Sequence, residues 1–414
     1  MRKLMTAVLL GGTAMTAVPV MAQDKPGDAG KDEIIVTARR QNENLENVPL
    51  AITAFNAQAM AERQIRSDED LQTTTPGLTI RQTQGNNSLS YSIRGQTADT
   101  FSGSSSAVLA YLNEVPLTVG SAASFYDLDN VQVLKGPQGT LFGRNTTGGA
   151  VLFNTAKPSD KLEAKITGRV GNLALREVEG MVNLPLAGDR IEFRAAFDVT
   201  RRGGYIWNTY PGHQEWLGQI ERNSGRASLT LRPTDAITNT TVFQYNGADG
   251  TNTGASYTWS VYRCGETNNG YALNCATAAV YGAAAANYPA TQRALGLYVT
   301  DHPGGARNHG HDWNLSNTTT LQLGADLTVK NIFGASESKY NSVQPQLGAP
   351  FVTIATYNAS SGQVGNELDN TSYSDELQVQ GKALGGKLSY IVGAYFQWLT
   401  TDTIWPQSYF LAAP

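Results

Sequence analysis

The run KGPQGTLFGRNTTGGAV, residues 135–151, holds five glycines and two bases, and its reading decides the fold. A glycine-rich run beside Lys135 invites comparison with a phosphate loop. That loop needs Gly-x-x-x-x-Gly-Lys-Ser/Thr, with the lysine after the glycines. Here Lys135 precedes Gly136, Gly139, Gly143, Gly148 and Gly149, and Arg144 lies among them. A phosphate site also wants a helix N-terminus after the loop, but AVLFNTA at 150–156 reads as a strand. Together with VQVLKG at 131–136 it makes strand, turns, strand. The glycines, with Pro137 and Gln138 between them, then serve tight turns and close backbone approach.

Upstream, residues 46–158 are compact and turn-rich, with short β-like runs: VPLAITAF, LTIRQ, SYSIRG and VLAYLNEVPL. One short helical period, NAQAMAERQI at 56–65, is expected to pack on a small sheet. Residues 23–45 are polar apart from one apolar island, DEIIVTA at 32–38. Arg2 and Lys3, the apolar run that follows them, and VMA ending at Ala22 have the three parts of an export signal in order. The mature chain would start near Gln23, in an oxidising compartment, where Cys264 and Cys275 are expected to form a disulfide.

Downstream of about residue 160 the text changes. KLEAKITGRV puts Leu162, Ala164, Ile166 and Val170 on one face, and Lys161, Glu163, Lys165 and Arg169 on the other. IEFRAAFDVT repeats the pattern, as strand side chains alternate between faces. Strands are expected near 161–170, 176–185, 190–201, 223–232, 236–245, 314–323, 327–337, 370–382 and 387–399. Their joins alternate between short (LAGD, PTD, GAD, LGG) and long (202–222, 246–313, 338–369). A soluble sandwich shows the same side-chain alternation. Short turns on one rim and long loops on the other instead mark an outer-membrane barrel. No segment after the leader has about 18 consecutive apolar residues, so helical membrane spans are excluded.

Leader, apolar island, compact domain and barrel strands stand in the order found in the TonB-dependent receptors, which the chain resembles. DEIIVTA (Asp32, Glu33, Ile34, Ile35, Val36, Thr37, Ala38) looks like their TonB box. NVPLAITAF, PGLTIRQ, SIRG with Arg94 and Gly95, YLNEVPL and the long run at 127–158 look like their plug domain. The resemblance covers residues 1 to about 400, and over the barrel it is general. It implies an all-β fold of membrane-barrel type: a small α+β plug at 46–158, then the first strands of an antiparallel transmembrane β-barrel at 159–414. Family barrels have about 22 strands and about nine are visible, so the barrel is expected to be incomplete. It also implies import of a scarce ligand such as a ferric siderophore across the outer membrane of a Gram-negative bacterium. TonB, in the inner-membrane complex, would be the energising partner, and outer-membrane lipid would surround the barrel. The family usually has Glu and Arg where this chain has Gln132 and Lys135, which puts an ion pair at Gln132 in doubt.

Several further expectations follow. The TonB box, β-branched and set in a polar tail, suits addition as a strand to a partner's sheet edge. Arg94, Lys135 and Arg144 are expected in the lumen, facing Glu163, Glu192 and Asp198. The cluster at 301–313 offers His302, His309 and His311 as weak metal candidates at the end of a long loop. A net charge of −4 offers no basic field for nucleic acid. No nucleophile motif accompanies the four histidines, so neither an enzyme nor a cofactor is expected. The competing reading is a secreted all-β binding or adhesin module, or a receptor fragment without function. A signal-transducing member would carry a further domain before the box, and Gln23 and Asp32 are too close together for one.

Overall fold

A computed structural model describes residues 35–41, 43–82, 89–97, 106–118, 124–251, 272–301, 307–343, 350, 354–355, 365–404 and 408–409. The leader and Asp32, Glu33 and Ile34 lie outside these residues. The first part of the chain holds β1 (Ile35–Val36), β2 (Glu43–Asn44), β3 (Ile52–Asn56), α1 (Ala57–Glu62), α2 (Asp68–Thr74), β4 (Leu78–Gln82), β5 (Leu89–Ile93), β6 (Val108–Leu112), β7 (Val115–Pro116), β8 (Leu128–Lys135), α3 (Gly139–Phe142) and β9 (Gly149–Thr155). Helix α1 occupies the expected short period. Its neighbour α2 has the caps of a helix, with the Ser67 side chain accepting from the Asp70 amide. The seven residues DEDLQTT are too few to show an apolar stripe, so sequence periodicity misses it.

Strands β3, β8, β9, β6 and β7 form one sheet in that order, with β6 and β9 parallel and the other pairs antiparallel. Both faces are covered. Val131, Val133, Val151 and Phe153 point to one side with Phe55, Leu71 and Ile93. Leu134, Ala150 and Leu152 point to the other with Tyr111, Phe142, Val36 and Ala38. Two buried faces explain why β8 and β9 read as near-continuous apolar runs. Gly148 and Gly149 sit where the chain re-enters this sheet. Gly149 has φ of 148°, and a Cβ there would lie 2.2 Å from the Leu134 carbonyl oxygen. Strand β9 follows it directly, as the rejection of a phosphate loop requires. Inside the glycine run, α3 adds a single helical turn that the sequence reading did not contain.

The remaining chain forms β10 (Glu163–Gly171), β11 (Leu175–Pro185), β12 (Ile191–Arg202), β13 (Ile206–Asn208), β14 (Glu215–Leu217), β15 (Ile220–Thr234), β16 (Ile237–Gly250), α4 (Ala272–Leu295, interrupted at Gly282), β17 (Val299–Thr300), β18 (Arg307–Gln322), β19 (Leu327–Val343), β20 (Ile354–Ala355), β21 (Asn366–Ala383), β22 (Leu388–Ile404) and β23 (Ser408–Tyr409). Nine of these make one antiparallel sheet in the order β10-β11-β12-β15-β16-β18-β19-β21-β22. These are the nine strands expected, in sequence order. They run further than expected, and nearly all the extra length lies on the long-loop rim. There the outward side chains become Glu221, Asp249, Arg307 and His309 while the hydrogen-bond ladder continues. An alternation test that looks for apolar residues stops at the belt; the strand does not. The concave face holds the plug and is polar, with Arg194, Arg226, Gln244 and Asp312 buried. The opposite face carries Phe197, Phe243, Phe333, Tyr373, Phe396 and Trp398, all substantially exposed, as a lipid-facing wall requires.

One plug group carries a pH dependence. Asp68 is buried and accepts from the Tyr91 hydroxyl at 2.7 Å. Burial raises its carboxyl to about 7, against 3.8 in the unfolded chain. Between these values the folded state keeps a proton that the unfolded state has lost, so stability falls as pH rises from about 4 to about 7 and then levels. The Asp68→Asn variant should remove that slope from plug unfolding followed against pH; an unchanged slope contradicts the assignment. At Gly149, substitution by Ala should cost about 2 kcal/mol or more, read as a lower denaturant midpoint for plug protection against protease.

Candidate functional site

The face of the plug sheet opposite α1 and α2 is closed by the segment 35–40. Ile35 and Val36 pair with Asn44 and Glu43. Val36 and Ala38 are fully buried among Tyr111, Leu134, Phe142 and Leu152, while Ile35 is 44% exposed. The described end of the TonB-box candidate is therefore a docked strap and not part of a free tail. The apolar side of its own pattern drives this, because Val36 and Ala38 cover sheet residues that would otherwise face water.

Gln132 is the polar centre beneath the strap. It is completely buried, between Val131 and Val133 of β8. Its Oε1 accepts from the Thr37 amide at 3.0 Å, and its Nε2 donates to Thr37 Oγ1 at 3.3 Å and to Asn130 Oδ1 at 2.8 Å. Asn154 donates to Asn130 Oδ1 at 2.8 Å and to Thr37 Oγ1 at 3.5 Å. The missing carboxylate at 132 thus leaves no broken ion pair. A neutral amide does what a carboxylate could not, since it both accepts from and donates to the strap.

Arg40 ends the strap in the left-handed region, with φ of 62°. Its amide donates to the Thr37 carbonyl at 2.9 Å, closing a turn. The side chain is buried, with the guanidinium 4.4 Å from the Phe142 ring centre. It donates to the Leu141 carbonyl at 3.1 Å, to Glu114 Oε2 at 3.2 Å and to Glu376 Oε2 at 3.2 Å. Glu114 belongs to the turn between β6 and β7, and Glu376 to barrel strand β21. Lys330 of β19 reaches the second Glu114 oxygen at 2.5 Å. Burial alone would raise the Glu114 carboxyl, but Lys330 and Arg40 hold it below its ordinary value. Strap, plug and barrel thus meet at one buried group of four charges. A cavity of about 200 Å³, lined in part by Tyr111, Gln378 and Tyr395, opens beside Arg40.

A second contact anchors the plug to the opposite part of the sheet. Asp127, with φ of 48°, holds Arg194 through both carboxylate oxygens, Nε donating to Oδ2 at 2.8 Å. Arg226 donates to the Tyr126 and Asp127 carbonyls at 3.0 and 3.1 Å, and lies 4.5 Å from the centre of the Tyr126 ring.

The expected charge partners do not meet. Arg94 and Arg144 are exposed and Lys135 is half-buried. Burial, with the nearby Arg94 charge, lowers the Lys135 ammonium. Glu192 pairs with Arg232 at 2.8 Å and Asp198 with Arg222 at 3.0 Å, both within the barrel, and Glu163 is exposed. The plug supplies carboxylates (Asp127, Glu114) to Arg194 and Lys330 of the barrel, while the strap supplies a cation, Arg40, to Glu376 of the barrel. Long cations suit the barrel wall, since their stems span the gap to the plug. Gly136, Gly139, Gly143, Pro137 and Gln138 shape the turn before β9. The Gln138 amide donates to the Thr146 carbonyl at 2.9 Å, and the Gln138 carbonyl accepts from Phe142 at 2.9 Å. Gly95 follows Arg94 in the turn after β5, also with positive φ. His309 and His311 lie in β18 and not in a loop. They pair with Asp249 at 3.3 Å and Glu337 at 3.7 Å. Among the described residues no cluster of three metal-capable side chains occurs. His302 and Cys264 lie outside the described residues. The Cys275 side chain is likewise undescribed, so the disulfide remains an expectation.

Sequence reasoning missed Arg40, Glu114, Asp127, Arg194, Lys330 and Glu376. The one signal taken up was the departure from the family pattern at Gln132.

The profile of the "TonB-dependent Receptor Plug Domain" family matches residues 44–150. The pesticin receptor of Yersinia pestis is 26% identical over 229 residues, covering 55% of this chain and 33% of that protein. The pesticin receptor of Yersinia enterocolitica gives the same figures. Among solved structures, the ferric yersiniabactin uptake receptor FyuA from Yersinia pestis superposes with a TM-score of 0.66 at 16% identity. It covers 86% of this chain and 50% of its own. The siderophore receptor PiuA from Acinetobacter baumannii gives 0.61 at 15% identity, over 87% and 47%. The chain spans a third of the length of the relatives it matches.

Replacing Gln132 by Ala leaves the Thr37 amide and hydroxyl without their partner, at a cost of about 1–3 kcal/mol. Trypsin cleavage at Arg39 and Arg40 should accelerate by about tenfold or more as the strap opens. A wild-type cleavage rate would contradict the strap's dependence on Gln132.

Proposed function

Because the chain belongs to the TonB-dependent receptors, we propose that it works in the outer membrane of a Gram-negative cell as an active importer of a scarce ligand. The chain is then a leader at 1–22, a periplasmic tail with the TonB box to 45, a plug at 46–158 and barrel strands from 159. Loops on the long-loop rim take the ligand from outside, and the plug closes the lumen. TonB adds the box to its own sheet edge by backbone hydrogen bonds and pulls. The ligand class proposed is a ferric siderophore. The structures it resembles include a ferric yersiniabactin uptake receptor and a pyoverdine receptor, which supports that class.

The observation that carries the reading is the docked strap. A force applied N-terminal to Ile35 meets Gln132 first and then Arg40, whose guanidinium touches both Glu114 of the plug and Glu376 of the barrel. Pulling therefore acts directly on a plug–barrel junction. The contacts are a few ion pairs, which are broken when the strap leaves and remade when it returns.

Ile35→Pro removes a backbone donor from the box. In a transport-competent receptor carrying this chain, it should reduce siderophore-dependent growth or labelled iron uptake by more than tenfold. Ligand affinity should stay within about twofold. Full transport by this variant would overturn the assignment of the box.

A further inference from the structure

Two arginines on the inner wall of the barrel depend on the plug for their negative partner. Arg194 of β12 lies opposite Ser228 of β15, and Arg226, two residues from Ser228, lies opposite Ala196. The two are therefore diagonal neighbours on the lumen face, their stems roughly 7–8 Å apart. Both are more than nine-tenths buried. Other arginines of this wall each carry a wall carboxylate: Arg222 has Asp198 at 3.0 Å and Arg232 has Glu192 at 2.8 Å. Among the described residues no barrel carboxylate pairs with Arg194 or Arg226.

Plug residues 126 and 127 fill that place. Asp127 grips Arg194 through both carboxylate oxygens, in the fork geometry that a guanidinium offers to any carboxylate. Arg226 takes only neutral oxygens. Its Nη1 donates to the Tyr126 and Asp127 carbonyls at 3.0 and 3.1 Å, and its Nε to Gln244 Oε1 at 2.9 Å. One carboxylate thus serves two buried cations. Asp127 presents it from a left-handed backbone, with φ of 48°, a conformation that costs a non-glycine residue strain. Moving this segment away leaves both cations buried without an anion, which is costly unless another anion arrives.

We propose that the Arg194–Arg226 pair is an inner binding site for a carboxylate-class anionic group of the imported ligand, and that Asp127 occupies it until that group displaces it. This rests on the importer reading and narrows it: the ligand carries negative charge on exposed oxygens. Planar guanidinium forks hold such oxygens two at a time. The site lies beneath the plug, so the ligand reaches it only once the plug has begun to move. The strap touches neither arginine, and the two seats of the plug therefore open by different means. The seat at Glu114 opens by force on the strap, and the seat at Asp127 by exchange of one anion for another. A neutral ligand cannot make that exchange.

The test is calorimetric titration of citrate, a small carboxylate-rich anion, into the purified full chain at an ionic strength held constant with chloride. Asp127→Ala should bind citrate at least tenfold more tightly than the unchanged chain, and Asp127→Ala with Arg226→Gln should lose that gain. In the unchanged chain, citrate should also speed hydrogen exchange at the Ala156 amide, which donates to the Asp127 carbonyl at 3.1 Å, and chloride should not. Equal affinity in the unchanged chain and the Asp127→Ala variant, or a gain that survives Arg226→Gln, would overturn the proposal. So would exchange at Ala156 that citrate leaves unaltered. If Asp127→Ala loses the protease protection of its plug, Asp127→Asn takes its place, since it keeps the side chain's shape and removes its charge. The readout is binding and not import. A failed site therefore leaves the importer reading standing, and failed import leaves the site standing.

Discussion

The plug sheet must be buried on both faces, and the rest of the architecture depends on how that is met. One face is covered permanently by α1, α2 and the β4–β5 pair. The other is covered by a strap of a few residues that includes the described end of the TonB-box candidate. Permanent and removable cover lie on opposite sides of the same strands. Removing the strap exposes Leu134, Ala150 and Leu152 and strands Gln132 beneath it. The docked state is held by burial, by one amide that satisfies the strap backbone, and at its end by the Arg40 ion pairs to Glu114 and Glu376.

Arg40 turns this local event into one that reaches the barrel. Its guanidinium touches a plug carboxylate and a barrel carboxylate, and the plug carboxylate is shared with Lys330. Removing Arg40 leaves Glu114 with one cation and Glu376 with none of its described ion partners. Buried charges that lose a partner are costly, so displacement of the strap weakens the plug's seating near β19 and β21. The Asp127–Arg194 contact lies on β12, well across the sheet, and does not involve the strap. Among the described residues the plug's ion pairs with the barrel thus fall at two places, and the one at Glu114 is wired to the segment that would be pulled.

Much of the fold was legible in the sequence. Nine strands, their order, the alternation of short and long joins, and the strand after Gly149 all follow from period-two patterning and turn chemistry. Strand ends beyond the lipid belt were not legible, because Glu221, Asp249 and His309 stand outward there and break the apolar signal without ending the ladder. Helix α2 was too short to show a period. The charge contacts were read on the wrong residues. Arg94 and Arg144 stood out by type, yet which residues meet depends on register across strands far apart in sequence, such as Glu114 with Lys330. Gln132 was noticed only as a departure from the family pattern, and its partner Thr37 lies 95 residues away.

The central claim is that the strap is docked at rest and leaves when it is engaged. Hydrogen exchange at the Thr37 amide tests it without altering a residue. In the uncomplexed protein this amide should be strongly protected, because Gln132 Oε1 accepts it under a buried strap. Adding the periplasmic domain of TonB should release that protection, while core amides such as Val133 stay protected. An amide at Thr37 that exchanges at the free-peptide rate before any partner is added would contradict the account.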